Sequence, residues 1–405
     1  MTHRVQARQS RGGVALIFVI AAITMISVLV TEMTFSTRTR FMTVGNNRDE
    51  AAAYHLAVSG ANLCRLFLII SAQLGDRIDS VIQQLSAALP SGNTEGMSLP
   101  YELWELMPSI DTGMLRLAFV SDGDVDEEEL EAYEQEGTVS DELAAESREE
   151  GSRFNNRNFL DFDGDFRVKI EGEDCKINVN LLAKRTEGQP LADNAIARLL
   201  YGMMTTEEAD NFLRDRSIEP WDLIANLADW VDTDTNGSGP RGGYEDDLYQ
   251  RQNPSYRAKN APFDTLDEIR LVDGWQDEVF DKFAKDLSVN GSQKINVNCM
   301  SQDVQAAMIQ AYLPSVTTGQ LTEILQNMTE FRAYARYKKC SQVTNLIPGI
   351  DTTQLCSMLS FKTTVFTVRS TAQIRDASST ITTTVSYSDR TAQKKGGTVL
   401  YWRVD

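Results

Sequence analysis

The longest apolar run in the sequence lies near its start and predicts a helix long enough to span a membrane. Residues 14–30, VALIFVIAAITMISVLV, contain no charged side chain, and Glu32 is the first acid that follows them. At 1.5 Å per residue this run gives roughly 25 Å of helix, about the thickness of a hydrocarbon core. Apolar residues then continue at mixed three- and four-residue spacings. We therefore expect one helix over 14–70, with residues 14–31 in the membrane.

A second pattern, in which every other residue is apolar, predicts strands in two separate parts of the chain. Residues 166–170 alternate in this way, and residues 361–405 contain three such runs rich in Thr, Val, Phe and Tyr. Turn-forming residues at 375–379 and 393–397 separate these three runs. The C-terminal part is therefore expected to form an antiparallel meander.

The pentapeptide KINVN occurs twice, at residues 176–180 and 294–298. Residues 181–293, between the two copies, have helical spacings with few strand signals and are expected to form an inserted all-α domain. We expect the second copy to rejoin the sheet that the first copy leaves, so that residues 71–180 and 294–405 share that sheet. The pattern predicts an α+β fold, in which a long N-terminal helix packs on an antiparallel sheet.

The distribution of charge gives the membrane helix a direction. The chain has a net charge of −19, yet residues 1–13 contain Arg4, Arg8 and Arg11 and no acid. Because positive charge beside a membrane helix stays in the cytoplasm, the chain is expected to cross the membrane once and to place its globular part outside the cytoplasm. So acidic a body repels phosphate, which argues against nucleic acid as a partner. The most acidic segment, 122–150, is expected to be an exposed loop.

The sequence offers few groups for catalysis. Its two histidines, His3 and His55, both fall outside the expected globular part, and it contains no Walker loop, GxSxG elbow or HExxH pair. These features argue against an enzyme.

The five cysteines contain no CxxC pair, which argues against a zinc site. Cys340 and Cys356 lie 16 residues apart and form the candidate disulfide. A bridge that closes this loop would stabilise the fold by about 3 kcal/mol in the chain-entropy model. Cys64 lies on the long helix and is expected to be a packing residue.

The stretch 229–247 is the densest source of oxygen ligands in the sequence. The candidate ligands all carry side-chain oxygens: Asp232, Asp234, Asn236, Glu245, Asp246 and Asp247. Because calcium accepts about six to eight oxygens in flexible geometry, this loop is a candidate structural calcium site. It differs from an EF-hand, since the twelfth position from Asp232 is Gly243. A solvated turn is the alternative, because Asp, Asn, Gly and Ser are turn residues.

The basic head and a Gly-Gly pair before the apolar run resemble the leader of type IV pilins and pseudopilins. In that leader a prepilin peptidase cuts after the glycine. The resemblance therefore implies a cleaved leader over 1–13, a cut between Gly13 and Val14, and methylation of the new amino terminus. An uncleaved signal anchor is the alternative. The fifth mature residue would then be Phe18, where most pilins have a glutamate.

Taken together, the motifs resemble the K-type minor pseudopilins of type II secretion systems. The resemblance rests on RGG before the apolar run, both KINVN copies, LADWVDTD, GGYEDDLY and YRAKNAPFDTLDEIRLVDG, in this order. It implies a pilin-like fold with an α-helical insert and calcium beside it. It also implies a non-enzymatic subunit that caps a periplasmic pseudopilus, initiates its assembly and aids export of folded proteins across the outer membrane. The implied partners are the I-type and J-type minor pseudopilins and the major pseudopilin.

Two other classes of protein share the leader. A type IV pilus minor pilin or a membrane-anchored surface adhesin would have the same start but would not need a helical insert flanked by KINVN.

Overall fold

The computed structural model describes residues 12–87, 101–119, 163–184, 189–239, 243–389 and 396–405. The expected acidic loop 122–150 and most of the expected leader lie outside these residues. The helices are α1 Gly12–Ala87, α2 Leu103–Leu106, α3 Thr112–Phe119, α4 Ala195–Met204, α5 Glu207–Arg214, α6 Pro220–Val231, α7 Asp246–Tyr249, α8 Asp277–Phe283, α9 Gln302–Tyr312, α10 Thr318–Tyr334, α11 Cys340–Thr344 and α12 Thr353–Met358. The strands are β1 Ser109–Asp111, β2 Asp165–Gly172, β3 Ile177–Asn178, β4 Leu287–Ser288, β5 Ile295–Asn296, β6 Leu359–Ser360, β7 Val365–Ile374, β8 Ala377–Ser386 and β9 Thr398–Val404.

The expected N-terminal helix forms and is longer than its pattern predicted. α1 runs without interruption for 76 residues, or roughly 110 Å. Small side chains on one face, among them Ala53, Ala57 and Cys64, are buried against the sheet. Gly60 marks the closest approach, because a Cβ atom there would lie 2.6 Å from the Ser370 hydroxyl. The helix can pack this close to the strands only because this face carries small residues.

The sheet beneath α1 has five antiparallel strands in the order β1-β2-β7-β8-β9. Phe166, Val168 and Ile170 of β2 point into the core under α1, as their alternation predicted. β7, β8 and β9 pair in sequence, so the predicted C-terminal meander is confirmed. We call this sheet with α1, α2 and α3 the pilin-like unit.

An inserted helical unit, residues 173–364, separates β2 from β7 along the chain. These two strands are nevertheless neighbours in the sheet, paired from Asp165–Gln373 to Gly172–Phe366. The insert therefore leaves and re-enters the pilin-like unit at adjacent points. The predicted fold class, a long helix on an antiparallel sheet with an inserted helical domain, is confirmed.

The expected role of the second KINVN copy was wrong. Its Ile295 and Asn296 do not rejoin the five-stranded sheet but pair in parallel with β6. The first copy pairs in parallel with β4 in the same manner. Each copy thus opens one repeat of a common unit, and the helical insert extends to residue 364 instead of ending at 293. A single apolar core spans both repeats, from Ile177 to Leu359.

Asparagines at equivalent positions stabilise the two repeats in the same way. The side chain of Asn178 accepts a hydrogen bond from the backbone of Asn180, and Asn296 accepts one from Asn298, both at 3.0 Å. Each KINVN copy therefore forms the same local turn after its short strand.

The last asparagine of each copy then holds two distant segments together. In the first repeat Asn180 accepts from Phe263 N and donates to the Phe263 and Val289 carbonyls. In the second repeat Asn298 bonds the backbone of Tyr337 and donates to the Phe361 carbonyl. KINVN is thus a structural motif whose asparagines replace missing sheet partners.

Two disulfides constrain the helical unit. Cys340 and Cys356, the pair expected from their spacing, are bonded with Cα atoms 5.7 Å apart. The second bond joins Cys175 to Cys299, which directly flank the two KINVN copies. Cys64 is buried, and burial raises the pKa of its thiol to about 12. These positions fit the expectation that Cys64 is a packing residue.

We predict that Asn298→Ala destabilises the protein by about 3 kcal/mol, because it leaves buried backbone groups of Tyr337 and Phe361 without partners. Urea denaturation of the purified chain measures the loss. Asn211→Ala, at an exposed helix position, serves as the control. Equal effects of the two substitutions would contradict the assigned role of Asn298.

Candidate functional site

Helix α6 and the loop after it bring three carboxylates together. Pro220 begins α6, where its fixed φ suits the first turn, and Asp229 lies in the last turn. Asp232 ends the helix with an extended backbone. The chain then folds back on itself through a bridge between Asn236 and Tyr244. This return places Glu245 beside the end of α6.

The three carboxylates form a compact, buried cluster. One side-chain oxygen from each of Asp229, Asp232 and Glu245 lies within 4.8 Å of the other two. All three residues are buried, with Glu245 only 3% exposed. Asp229 also accepts a hydrogen bond from Ser238 N at 2.8 Å, which fixes the loop to the helix end. The side-chain amide of Asn260 is the donor beside Glu245, and it also donates to the Asp234 carbonyl oxygen.

The electrostatics of the cluster favour a bound cation. Burial, the largest influence, and the neighbouring carboxylates of Asp232, Asp229 and Asp234 together raise the pKa of Glu245 to about 8. Buried like charges repel unless an opposite charge compensates them. The donor set consists of carboxylate oxygens without nitrogen or sulfur, which is the set that calcium prefers. The residues present therefore fit a hard divalent cation.

Only two of the six predicted metal ligands belong to this cluster, Asp232 and Glu245. Asp234 lies near the cluster, and its carboxylate accepts a hydrogen bond from the backbone N–H of Asn236 at 2.8 Å. Asp246 accepts a hydrogen bond from Ala258 N at 3.2 Å.

The remaining predicted ligand, Asp247, is exposed. Asp229 was missed as a ligand although it lies in the same stretch. Its spacing of three residues from Asp232 was the available signal, because residues at i and i+3 share one side of a helix.

The N-terminal part of α1 has the properties of a membrane span by length and composition. An 18-residue window within it has a mean hydropathy of 2.4, and none of that window is buried against the protein. Gly13 and Val14 lie in the first turns of α1, and Phe18 is 71% exposed within the apolar run.

A second apolar surface lies along one side of α1, beside the face that packs on the sheet, and its first members Leu63 and Phe67 also pack against the core under α1. It consists of residues spaced alternately four and three apart, and we call it the outer seam: Leu63, Phe67, Ile70, Leu74 and Val81. Ile70, Leu74 and Val81 are 44%, 45% and 60% exposed. Arg77 occupies the remaining position of this repeat. Such spacing is typical of a helix that packs against another helix in a coiled coil.

The architecture defines a pilin-like protein with a membrane-length N-terminal helix and an inserted helical unit. Residues 175–290 match the family model described as Type II secretion system (T2SS), protein K. The resemblance drawn from the motifs is confirmed for this part of the chain, which is similar to the type II secretion protein K family.

Two curated relatives carry the name Type II secretion system protein K. The protein of Pseudomonas aeruginosa is 32% identical over 151 residues, which cover 37% of this chain and 42% of that protein. The protein of Klebsiella pneumoniae is 25% identical over 173 residues, covering 42% of this chain and 50% of that protein. The matched part thus spans half the length of these relatives or less.

A solved structure is also similar, the crystal structure of the GspK-GspI-GspJ complex from the enterotoxigenic Escherichia coli type 2 secretion system. The match has 17% sequence identity and a TM-score of 0.46. It covers 62% of this chain and 84% of that chain.

Proposed function

We propose that this protein is a non-enzymatic minor pseudopilin that caps the tip of a type II secretion pseudopilus. The observation that carries this proposal is the insertion of the family domain, residues 175–290, between two adjacent strands of a pilin-like sheet. The pilin-like helix would pack the protein into a filament. The inserted unit is too large for a subunit in the interior of that filament, where another subunit would stack above it.

The proposed position at the tip is supported by Phe18. A carboxylate in a membrane is costly without a partner, and interior pilin subunits use such a carboxylate to pair with a neighbour. A phenylalanine at this position cannot form the ion pair. The inserted unit of residues 173–364 would also obstruct a subunit stacked above it. Both features suit a subunit that begins the filament and has no subunit above it.

The proposed partners are the I-type and J-type minor pseudopilins, with the major pseudopilin below them. The outer seam supports this assignment, because an exposed apolar stripe on a helix is typical of an interface with another helix. The anchor in the inner membrane would be α1, with the two disulfides in the oxidising periplasm. Prepilin peptidase would process the N-terminus on the cytoplasmic side.

The proposed cofactor is a structural calcium ion, held by Asp229, Asp232 and Glu245. A bound cation would offset the repulsion among these buried carboxylates. It would also tie the end of α6 to the start of α7, because Asp232 ends the first helix and Glu245 precedes the second. The ion would order this loop without taking part in catalysis.

The whole function is tested by deleting the gene in its host and measuring export of a folded substrate. Export should be lost and should return with the intact chain. Immunogold labelling should find the protein at filament ends in about one copy. Regular labelling along the filaments would refute the tip position.

The calcium site predicts that calcium raises the melting temperature of the full chain in detergent. At a hundredfold excess over its dissociation constant, the ion should add about 2.7 kcal/mol to the free energy of unfolding. Glu245→Gln should remove most of this gain, whereas the exposed Asp247→Asn should retain it. An identical midpoint with calcium and with chelator in the unsubstituted protein would rule out the site.

Processing of the leader predicts a mature chain that begins at Val14. Mass spectrometry of the protein from host membranes measures the amino terminus. Gly13→Val should block the cut, because a branched side chain obstructs the peptidase at the scissile bond. Arg8→Lys, which keeps the charge of the head, is the control. Recovery of unsubstituted protein that still begins at Met1 in cells with active peptidase would contradict the prediction.

The outer seam predicts that Ile70→Glu weakens association with the I-type and J-type subunits by about tenfold or more, or roughly 1.4 kcal/mol. The charge would have to be desolvated in the helix interface. Co-purification of the three full chains from detergent, quantified against Asn62→Glu on the polar side of α1, measures the effect. Equal recovery of partners with both variants would exclude the seam as the interface.

A further inference from the structure

The pilin-like unit and the helical unit meet where three segments of the chain lie side by side. They are the exit from β2 at 172–175, the linker between the repeats at 289–293, and the return to β7 at 361–364. We call these three segments the neck. The exit and the return alone would form a two-stranded connection, which can bend about one axis.

One buried carboxylate bonds all three segments of the neck. Asp174, which is 1% exposed, lies in the exit segment. One of its oxygens accepts bonds from Thr364 N at 2.6 Å, Thr364 Oγ1 at 2.8 Å and Val365 N at 3.1 Å. The other oxygen accepts from Ser292 N at 2.9 Å. Both oxygens are therefore satisfied by groups that lie 118 to 191 residues away in sequence.

Backbone packing leaves little free space around this carboxylate. A Cβ atom at Gly291 would lie 2.6 Å from the Glu173 carbonyl oxygen. At Gly172 it would lie 2.8 Å from the sulfur of Cys175, which is itself bonded to Cys299. The exit and the linker thus touch at the level of the main chain, so that they cannot slide past each other.

A second set of contacts braces the neck on the side of α2. Glu102 accepts hydrogen bonds from its neighbour Trp104 at 2.6 Å and from the backbone of Thr363 at 3.2 Å. The Trp104 ring packs edge-on against Phe366 of β7. A carboxylate of the pilin-like unit is thereby bonded to the return segment of the neck.

Cations of the helical unit face this brace. Arg332 and Arg336, from the end of α10 and just beyond it, attract the carboxylates of Glu102 and Glu105. Burial is the largest influence on Glu105 and raises its pKa to about 7. Rotation of the helical unit about the neck would separate these charges.

We infer that Asp174 is a positioning residue that fixes the helical unit at one orientation to the pilin-like unit. Asp174 connects the linker to both the exit and the return segment. Because the neck then has three connected segments, the two units can no longer bend about a single axis. Charge-assisted hydrogen bonds to a buried carboxylate are stronger than neutral ones, and each would have to break for the unit to turn. The inference concerns the shape of the molecule and does not depend on its place in a secretion system.

The orientation can be measured by the distance between two spin labels on the full chain in detergent. The labels replace Ser378 on β8 and Thr329 on α10, both exposed, in a Cys64→Ala background whose other cysteines are in disulfides. We expect one narrow distance distribution. Asp174→Asn replaces one of the two acceptor oxygens with an NH2 group that faces a donor in either orientation of the amide, and it should at least double the width.

A matched control is Asp376→Asn, which makes the same substitution in the exposed turn between β7 and β8 and should leave the width unchanged. A broad distribution in the unsubstituted chain would overturn the inference, as would a folded Asp174→Asn variant with the original width.

A second variant covers the case in which Asp174→Asn fails to fold. Thr364→Val removes one donor and preserves the shape of the side chain. We expect the amide hydrogens of Ser292 and Val365 to exchange at least tenfold faster in this variant, with the melting temperature of the chain reported alongside. Unchanged exchange and an unchanged distance distribution would also overturn the inference.

Discussion

The pairing of β2 with β7 is the constraint on which the rest of the structure depends. Strands that neighbour each other in a sheet usually follow each other in sequence, yet here the chain between them forms the whole helical unit, residues 173–364. Because the two strand ends lie side by side, a large insert can leave and return without opening the sheet. The close contact of α1 with the strands, permitted by Gly60, remains intact beneath it.

The sequence alone was sufficient for the parts of the fold that depend on local pattern. The apolar periodicity of α1 and the alternation in β7–β9 both report burial on one face, so these elements could be predicted. The second repeat could not, because the KINVN pentapeptide does not show which later segment pairs with it. The partners of Asn298 lie about forty and sixty residues further along, and no local pattern reveals them.

The sequence predicted where in the chain the candidate metal centre lies, but it did not predict which carboxylates form it. An acidic, glycine-rich stretch after a helix identified the region, and Asp232 and Glu245 indeed converge. Which of several neighbouring carboxylates point inward depends on the end of α6 and on the turn between Asn236 and Tyr244. These features turn Asp229 inward and leave Asp247 exposed. The composition of the stretch does not predict this difference.

The bond between Cys175 and Cys299 also determines how the protein would carry mechanical load. Cys175 follows directly after β2, and Cys299 lies at the start of the second repeat. A pull transmitted along the chain from β2 would therefore pass through the two sulfurs into the second repeat and on to β7. The first repeat, with its carboxylate cluster, would lie outside the path of tension and keep its shape while the remainder of the molecule is stretched.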